Sequence, residues 1–227
     1  MKKEYLAQLH LHTMESSACG QSSGRDQARA CIKAGYDILV VTDHFMNSNI
    51  RAHHRAGWQE KVDILMKGYE EARRESEGSG LCVLFGWETC NEGIEVLTYG
   101  LGREFLIDNP DIADISLDEY IFRTHRAGAF LAHAHPFREA YYISPFLPRP
   151  YLFDALEVYN ARNADESMNE RALRMAEMSG ILKIAGSDAH EISQVKAGAV
   201  AFRDRIENER DLVSALRSGR FRILRSV

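Results

Sequence analysis

The chain has 227 residues, 45% hydrophobic and 27% charged, with a formal net charge of −5. That size suits one large domain with a real core. The acidic balance excludes a nucleic-acid surface held by bulk charge, since no basic tract exceeds Lys2–Lys3 or Arg73–Arg74.

No apolar run reaches the ~18 residues a membrane span needs. The opening MKKEYLAQLHLH has no apolar stretch behind its lysines, so no signal peptide is expected. Cys19, Cys31, Cys82 and Cys90 form no C-x-x-C pair. They read as free thiols in a reducing cytoplasm.

In chain order, Tyr5–His10 is a strand candidate running into His10-Leu11-His12. Residues i and i+2 of a strand share a face, so the two imidazoles are expected side by side. A polar loop, Thr13–Gly24, holds Glu15 and Cys19; a helix over Arg25–Ala34 is capped by Gly35. The β-rich run Ile38–Thr42 ends in Asp43-His44.

The loop Phe45–Gly57 carries His53 and His54, which read as solvated. Trp58–Glu77 shows an apolar stripe of Trp58, Val62, Leu65 and Tyr69 and reads as a long helix. Leu81–Phe85 is a strand delivering Glu88, and Ile94–Leu101 is the next strand. After a helix over Leu117–Ala127, Ala129–Ala132 runs into His133-Ala134-His135-Pro136, and Pro136 stops the strand.

Pro145, Pro148 and Pro150 mark an irregular loop. Leu152–Tyr159 is a strand reaching Asn160 and Arg162, followed by a helix over Glu166–Ser179. Ile181–Ala185 then leads through Gly186-Ser187 to Asp188 and His190, again two residues apart. Strands at Gly198–Phe202 and Phe221–Leu224 flank a last helix around Arg210–Ser218.

Alternating strands and helices predict an α/β fold with mostly parallel strands, one domain over residues 1–227. Polar residues gather where strands end, as in barrel enzymes whose sites lie at the C-terminal face. No G-x-G-x-x-G fingerprint supports an open dinucleotide-binding sheet. A closed or distorted barrel of about seven strand–helix units is expected.

His10, His12, His44, Glu88, His135, Asp188 and His190 all follow apolar runs. Imidazoles mixed with carboxylates suit Zn²⁺, Mn²⁺ or Fe²⁺. More than four ligands means more than one ion, and Glu88 is a candidate bridge.

Five motifs in order, His10-Leu11-His12-Thr13, Thr42-Asp43-His44, Gly86-x-Glu88, Ala134-His135-Pro136 and Gly186-Ser187-Asp188-Ala189-His190, resemble those of the PHP family, named for polymerase and histidinol phosphatase. The resemblance spans roughly residues 5–200. It implies a distorted (β/α)7 TIM-like barrel, two or three divalent ions and phosphoester hydrolysis. It further implies that His10, His12, Glu88 and Asp188 hold one ion and that His44 and His190 hold a second. His135, with Glu88 bridging, would hold a third.

Two places depart from the family's pattern. Members often carry Ser-Asp after the first H-x-H, or a histidine nearby; here Ser16-Ser17 follows Glu15, and Glu15 is expected to supply the oxygen ligand. Where members often have a histidine after the bridging glutamate, this chain has Glu95, giving a more carboxylate-rich shell.

Arg138 and Arg162 lie just past strand ends and are placed to fork onto phosphate oxygens. Asp43 is expected behind a ligand rather than on a metal. His133 has the spacing to share a face with His135.

The resulting expectation is a phosphatase acting on a small phosphorylated substrate. Metal-activated water would attack phosphorus, with no side-chain nucleophile. A phosphodiesterase or nuclease with the same metals, and an amidohydrolase-like C–N hydrolase, are the rival readings. Against the latter, no lysine is placed as a bridging ligand.

Overall fold

Short aliphatic runs build the inner layer, and amphipathic helices cover it. The computed structural model describes residues 3–52, 55–141, 143 and 148–227; the expectations placed on His53, His54 and Pro145 fall outside these. In order the elements are β1 (Tyr5–Gln8), α1 (Gly24–Ala34), β2 (Ile38–Val41), α2 (Trp58–Ser76), β3 (Cys82–Asn91), β4 (Ile94–Tyr99), α3 (Arg103–Asp108) and α4 (Leu117–Arg126). There follow β5 (Phe130–His133), β6 (Ala155–Asn160), α5 (Glu166–Ser179), β7 (Leu182–Gly186), β8 (Ala197–Phe202), α6 (Glu209–Ser218) and β9 (Phe221–Ser226). Among the described residues, no helix is long and apolar enough to cross a membrane.

The strands form one sheet, ordered β7-β6-β5-β4-β3-β2-β1-β8-β9. β1, β2 and β3 run parallel, as do β5, β6 and β7. β4 is antiparallel to both β3 and β5. The cause is local. Asn91 pairs with Ile94, and the two residues between, Glu92 and Gly93, have φ of 53° and 76°. A two-residue turn with both φ positive matches the twist of an antiparallel hairpin. No helix intervenes, so the expected succession of parallel strand–helix units breaks there.

The sheet curls until its ends nearly meet. Leu11 and Ala189, just past β1 and β7, form a parallel bridge, and the His12 N–H donates to the Ala189 carbonyl at 2.8 Å. Lower down, β8 pairs antiparallel with β1 and fills the gap. Gly198, with φ of 71°, lies so close to β7 that an added Cβ would sit 2.1 Å from the Gly186 carbonyl oxygen. The result is a nearly closed, TIM-like barrel with an extra antiparallel strand in its seam.

Strand alternation sorts the core. In β5, Phe130 and Ala132 face the interior while Leu131 faces the helices. Leu212, Val213 and Leu216 of α6 pack against the interior cluster and floor the barrel. Burying each such side chain contributes about 1.5–3 kcal/mol before conformational entropy is subtracted. The helices start where short polar side chains cap them: Ser23 accepts from the Asp26 N–H at α1, and Asp165 from the Ser167 N–H at α5.

Candidate metal centre

The centre lies beyond the C-terminal ends of the barrel strands, and it depends on broken alternation. Ala7 and Leu9 face the interior, so a regular strand would send His10 outward and Leu11 inward. Instead Leu11 packs beneath the helices, and His10 and His12 are both fully buried at the centre. Gln8 holds the irregularity. Its Oε1 accepts the N–H of His10 at 3.2 Å and of Ser187 at 3.0 Å, and its Nε2 donates to the Gly198 carbonyl. One carboxamide thus ties β1 to β7 and β8 at the seam.

Two more ligand candidates arrive on left-handed backbone. His135 has φ of 28° and Asp188 φ of 54°. Such conformations in non-glycine residues cost about 1–3 kcal/mol and persist only where surroundings hold them. His133 shows what the turn achieves. It keeps to the outer face, its ring 5.0 Å from that of Phe153, while His135 swings to the centre. The expected pairing of His133 with His135 on one face therefore does not occur.

Glu88 is the hub. Its Oε1 is 3.3 Å from His10 Nε2 and 3.1 Å from His135 Nε2; its Oε2 is 3.5 Å from His12 Nε2 and 3.1 Å from His44 Nδ1. Asp188 Oδ1 lies 3.6, 3.3 and 3.5 Å from His10, His12 and His190. Donor atoms within 4.8 Å of one another form four overlapping sets. These are His12, His44 and His190; His10, His135 and Asp188; His10, His12 and Glu88; and His44, Glu88 and Glu95.

Glu15 does not join them. Its carboxylate accepts the Gly24 N–H at 3.0 Å, at the start of α1, where unpaired N–H groups attract an acid. The place beside His12 is taken by Ser17. Its hydroxyl donates to Asp43 Oδ1 at 2.6 Å and accepts the His44 N–H at 3.0 Å. With its proton committed to Asp43, it accepts from His12 Nδ1 at 3.3 Å, which turns the His12 Nε2 lone pair to the centre. Asp43 also takes the Thr13 N–H and hydroxyl, both at 2.6 Å. It thus sits behind His12 and shapes the loop.

Sequence reasoning missed Glu157, and it is structurally central. Its Oε1 is 2.9 Å from His10 Nδ1, and its Oε2 accepts from the His135 N–H at 3.0 Å and Asn160 Nδ2 at 2.9 Å. A carboxylate behind a metal-facing imidazole fixes its tautomer and raises its basicity. A signal was present: Glu157 is a carboxylate set between the apolar pairs Ala155-Leu156 and Val158-Tyr159. Cys19, a free thiol by its spacing in the sequence, sets its Sγ 3.0 Å from His190 Nε2.

The charges oppose one another. Burial pushes Glu88 and Asp188 up, but neighbours, His10 foremost, hold both well below the usual carboxylate range. Burial, and then Glu88, push Glu95 up to about 7. Burial disfavours charge on His10, but Glu157, Asp188 and Glu88 keep it well above normal. His12 is held far down by burial and by His44 and His190. Burial raises the Cys19 thiol, and hydrogen bonds with His190 and His44 outweigh it, bringing it to about 6.

These residues fit divalent cations. Glu95 Oε2 is buried with no hydrogen-bond partner among the described residues, 3.5 Å from His135 Nε2. An orphaned carboxylate oxygen beside Glu88 is costly unless a cation meets it. Mixed nitrogen and oxygen donors suit Zn²⁺, Mn²⁺ or Fe²⁺.

Above the centre opens a cavity of about 550 Å³, whose lining includes Asn47, Ser48, Glu95, Arg138, Tyr141 and Arg162. Arg138 Nη2 is 2.8 Å from both Asp188 Oδ2 and Asn160 Oδ1, and its Nε donates to Asn163. Arg162 sets Nη1 against His190 Nδ1, and its backbone N–H donates to Asn160.

Residues 166–221 match a family model described as PHP-associated. No curated protein matches the chain. Among solved structures it is similar to a two-domain protein of Bacteroides vulgatus described as containing a predicted PHP-like metal-dependent phosphoesterase. The TM-score is 0.71 at 13% identity, covering 99% of this chain, which spans 66% of that one. PsfC from Pseudomonas syringae gives 0.72 at 18% identity, covering 99% and 93%. An amidohydrolase from Chromobacterium violaceum, with bound sulfate and no metal, gives 0.61 at 13% identity, covering 96% and 97%. At these identities the shared property is the fold. The C-terminal segment thus resembles the PHP-associated family, and the barrel is the fold shared with these structures.

Proposed function

We propose that this PHP-like chain is a metal-dependent phosphoesterase that hydrolyses a small phosphomonoester. The observation carrying the reading is a cavity with the histidine–carboxylate centre at its floor and Arg138 and Arg162 on its wall. Two or three divalent ions, when bound, supply Lewis-acid polarisation and bring the pKa of water towards neutrality.

The chain's own residues do the rest. His10, His12, Glu88 and Asp188 would hold one ion, His44 and His190 a second, and His135 with Glu88 and Glu95 a third. Glu157 and Ser17 keep the Nε2 atoms of His10 and His12 aimed inward. Arg138 is locked by Asp188, Asn160 and Asn163 through Nε and Nη2, and among the described residues Nη1 takes no part in those contacts. A preset guanidinium stabilises charge on phosphoryl oxygens without reorganising.

This arrangement favours a monoester over a diester, because the three terminal oxygens of a monoester would find both the metal-holding floor and the Arg138 and Arg162 guanidinium groups. The cavity volume suits one small molecule. A net charge of −5 offers no track for nucleic acid. The amidohydrolase-like reading has less support, since no lysine is buried among the described residues. Free cysteines fit work in a reducing cytoplasm.

The test is a panel of phosphomonoesters, phosphodiesters and amides, assayed after reconstitution with Zn²⁺, Mn²⁺ or Fe²⁺ and after chelation. Monoesters should give the highest kcat/KM, and chelation should remove the activity. Arg162→Ala should raise KM by about tenfold, or about 1.4 kcal/mol. Diesters or amides turned over faster than every monoester would overturn the reading.

A further inference from the structure

We propose that Cys19 is a metal ligand, its thiolate joining His44 and His190 on one ion at the position where the sequence leads one to expect Glu15. The proposal rests on the metal-centre part of the reading above and is independent of the substrate.

The geometry carries it. Cys19 Sγ lies 3.0 Å from His190 Nε2, and His44 lines the same cavity beside it. The donor atoms of those two imidazoles and of His12 lie within 4.8 Å of one another. Cys19 and both imidazoles line the cavity floor.

The loop bearing the thiol is built into the barrel top rather than draped over it. The Ala18 N–H donates to the Asn49 carbonyl at 2.8 Å, and Ser17 bridges Ile50, fixing one flank to the loop after β2. The N–H groups of Gln21 and Ser22 both donate to the His190 carbonyl, at 2.8 and 3.2 Å, fixing the other flank to the loop after β7. Next to the cysteine, Gly20 folds back so closely that a Cβ would lie 2.3 Å from the Thr13 carbonyl oxygen. The elements that carry His44 and His190 therefore also position Cys19.

Chemistry agrees with the placement. As the sulfur–metal bond forms, the thiol releases its proton to solvent, and no oxidant or further reactant is needed. Two imidazoles and a thiolate are a soft donor set, which favours Zn²⁺ or Fe²⁺ over Mn²⁺ at this ion. Cys90 lines the same cavity but neighbours Glu88 and Glu95, not this pair of imidazoles.

The full chain reconstituted with Co²⁺ should show a near-ultraviolet sulfur-to-cobalt charge-transfer band. The band should be lost in Cys19→Ser and kept in Cys90→Ser. In the unaltered protein, peptide-resolved alkylation should modify Cys19 in the metal-free form and spare it after Zn²⁺ loading, which needs no variant to fold. Cys19→Asp should shift metal preference towards Mn²⁺.

A band that survives Cys19→Ser, or Cys19 alkylated equally with and without Zn²⁺, overturns the proposal. Metal-dependent ester hydrolysis without the band fails the thiolate alone. The band without hydrolysis of any ester fails the substrate reading and leaves Cys19 a ligand. A chain that takes up no cobalt overturns both.

Discussion

The two flanks of the centre are made of different material. On one, Glu88 and Glu95 come from the regular β3–β4 hairpin and meet His135; on the other, His12, His44, His190 and Cys19 come from backbone beyond the strand ends. On each flank one buried group is held neutral, in opposite senses. Glu95 keeps its proton up to about pH 7 because of burial and Glu88. His12 stays neutral because of burial and its companion imidazoles. A cation relieves both conditions at once, pairing with the acids and using the lone pairs. On the proposed reading, the hard flank would supply charge and the soft flank selectivity.

The comparison breaks most sharply at the residue the flanks share. Asp188 Oδ1 approaches His10, His12 and His190, while Oδ2 holds Arg138. Asp188→Asn should therefore lower kcat by roughly 10²–10³-fold even at saturating metal, the range for losing one charge-stabilising group. Steady-state kinetics with parallel metal analysis would check this. Full activity in Asp188→Asn would mean that the two flanks work independently.

Glu157 probes whether the frame behind the centre matters to both flanks, since it holds His10 by the ring and His135 by the backbone. Glu157→Gln should weaken metal affinity by about 10–100-fold. Competition against a chelator measures it. An unchanged affinity would reduce Glu157 to packing.

Glu95 sharpens the contrast through pH. A carboxyl whose pKa rises to about 7 on folding leaves the metal-free protein fully stabilised below about pH 4.5 and progressively less stable as pH rises towards 7. Glu95→Gln removes that penalty. The metal-free variant should exceed the parent by roughly 1–3 kcal/mol above pH 7 and match it near pH 4. With metal bound the order should reverse, because a ligand has been lost. Thermal unfolding with and without chelator across that range decides it.

What the sequence revealed divides along the same line. Strand-borne Glu88 and the strand-end histidines were legible because apolar runs announce strands, and polar residues just after them stand out. The antiparallel hairpin is less legible, its local sign being Glu92-Gly93, the pair that turns it with both φ positive. Glu15 was misplaced and Cys19 passed over, because a loop's course depends on pairings with residues 30 or more positions away in sequence, as Ala18 with Asn49 and Gln21 with His190. Gln8 and Glu157 are hard to read for another reason: their importance lies in what they hold in place, and the only local trace is that Glu157 interrupts an apolar strand.

His133 should give the smallest effect on activity, and it tests the alternation argument directly. Regular strand geometry would set it beside His135 at the metals; the positive φ of His135 instead leaves it packed against Phe153 with its Nδ1 buried and unpartnered among the described residues. Burial, then His135 and Arg149, lower its pKa to about 3. A histidine neutral in the fold and near 6.5 when unfolded gives its full stability above about pH 6.5 and loses it as pH falls towards 3. His133→Leu removes both the acid-labile group and an unsatisfied nitrogen. Turnover should stay within about twofold, as for residues outside the reacting set. The acid limb of unfolding should lose up to one proton's dependence, about 1.4 kcal/mol per pH unit. A collapse of activity or metal content in His133→Leu would return His133 to the centre and show that the turn at His135 does not separate the two histidines.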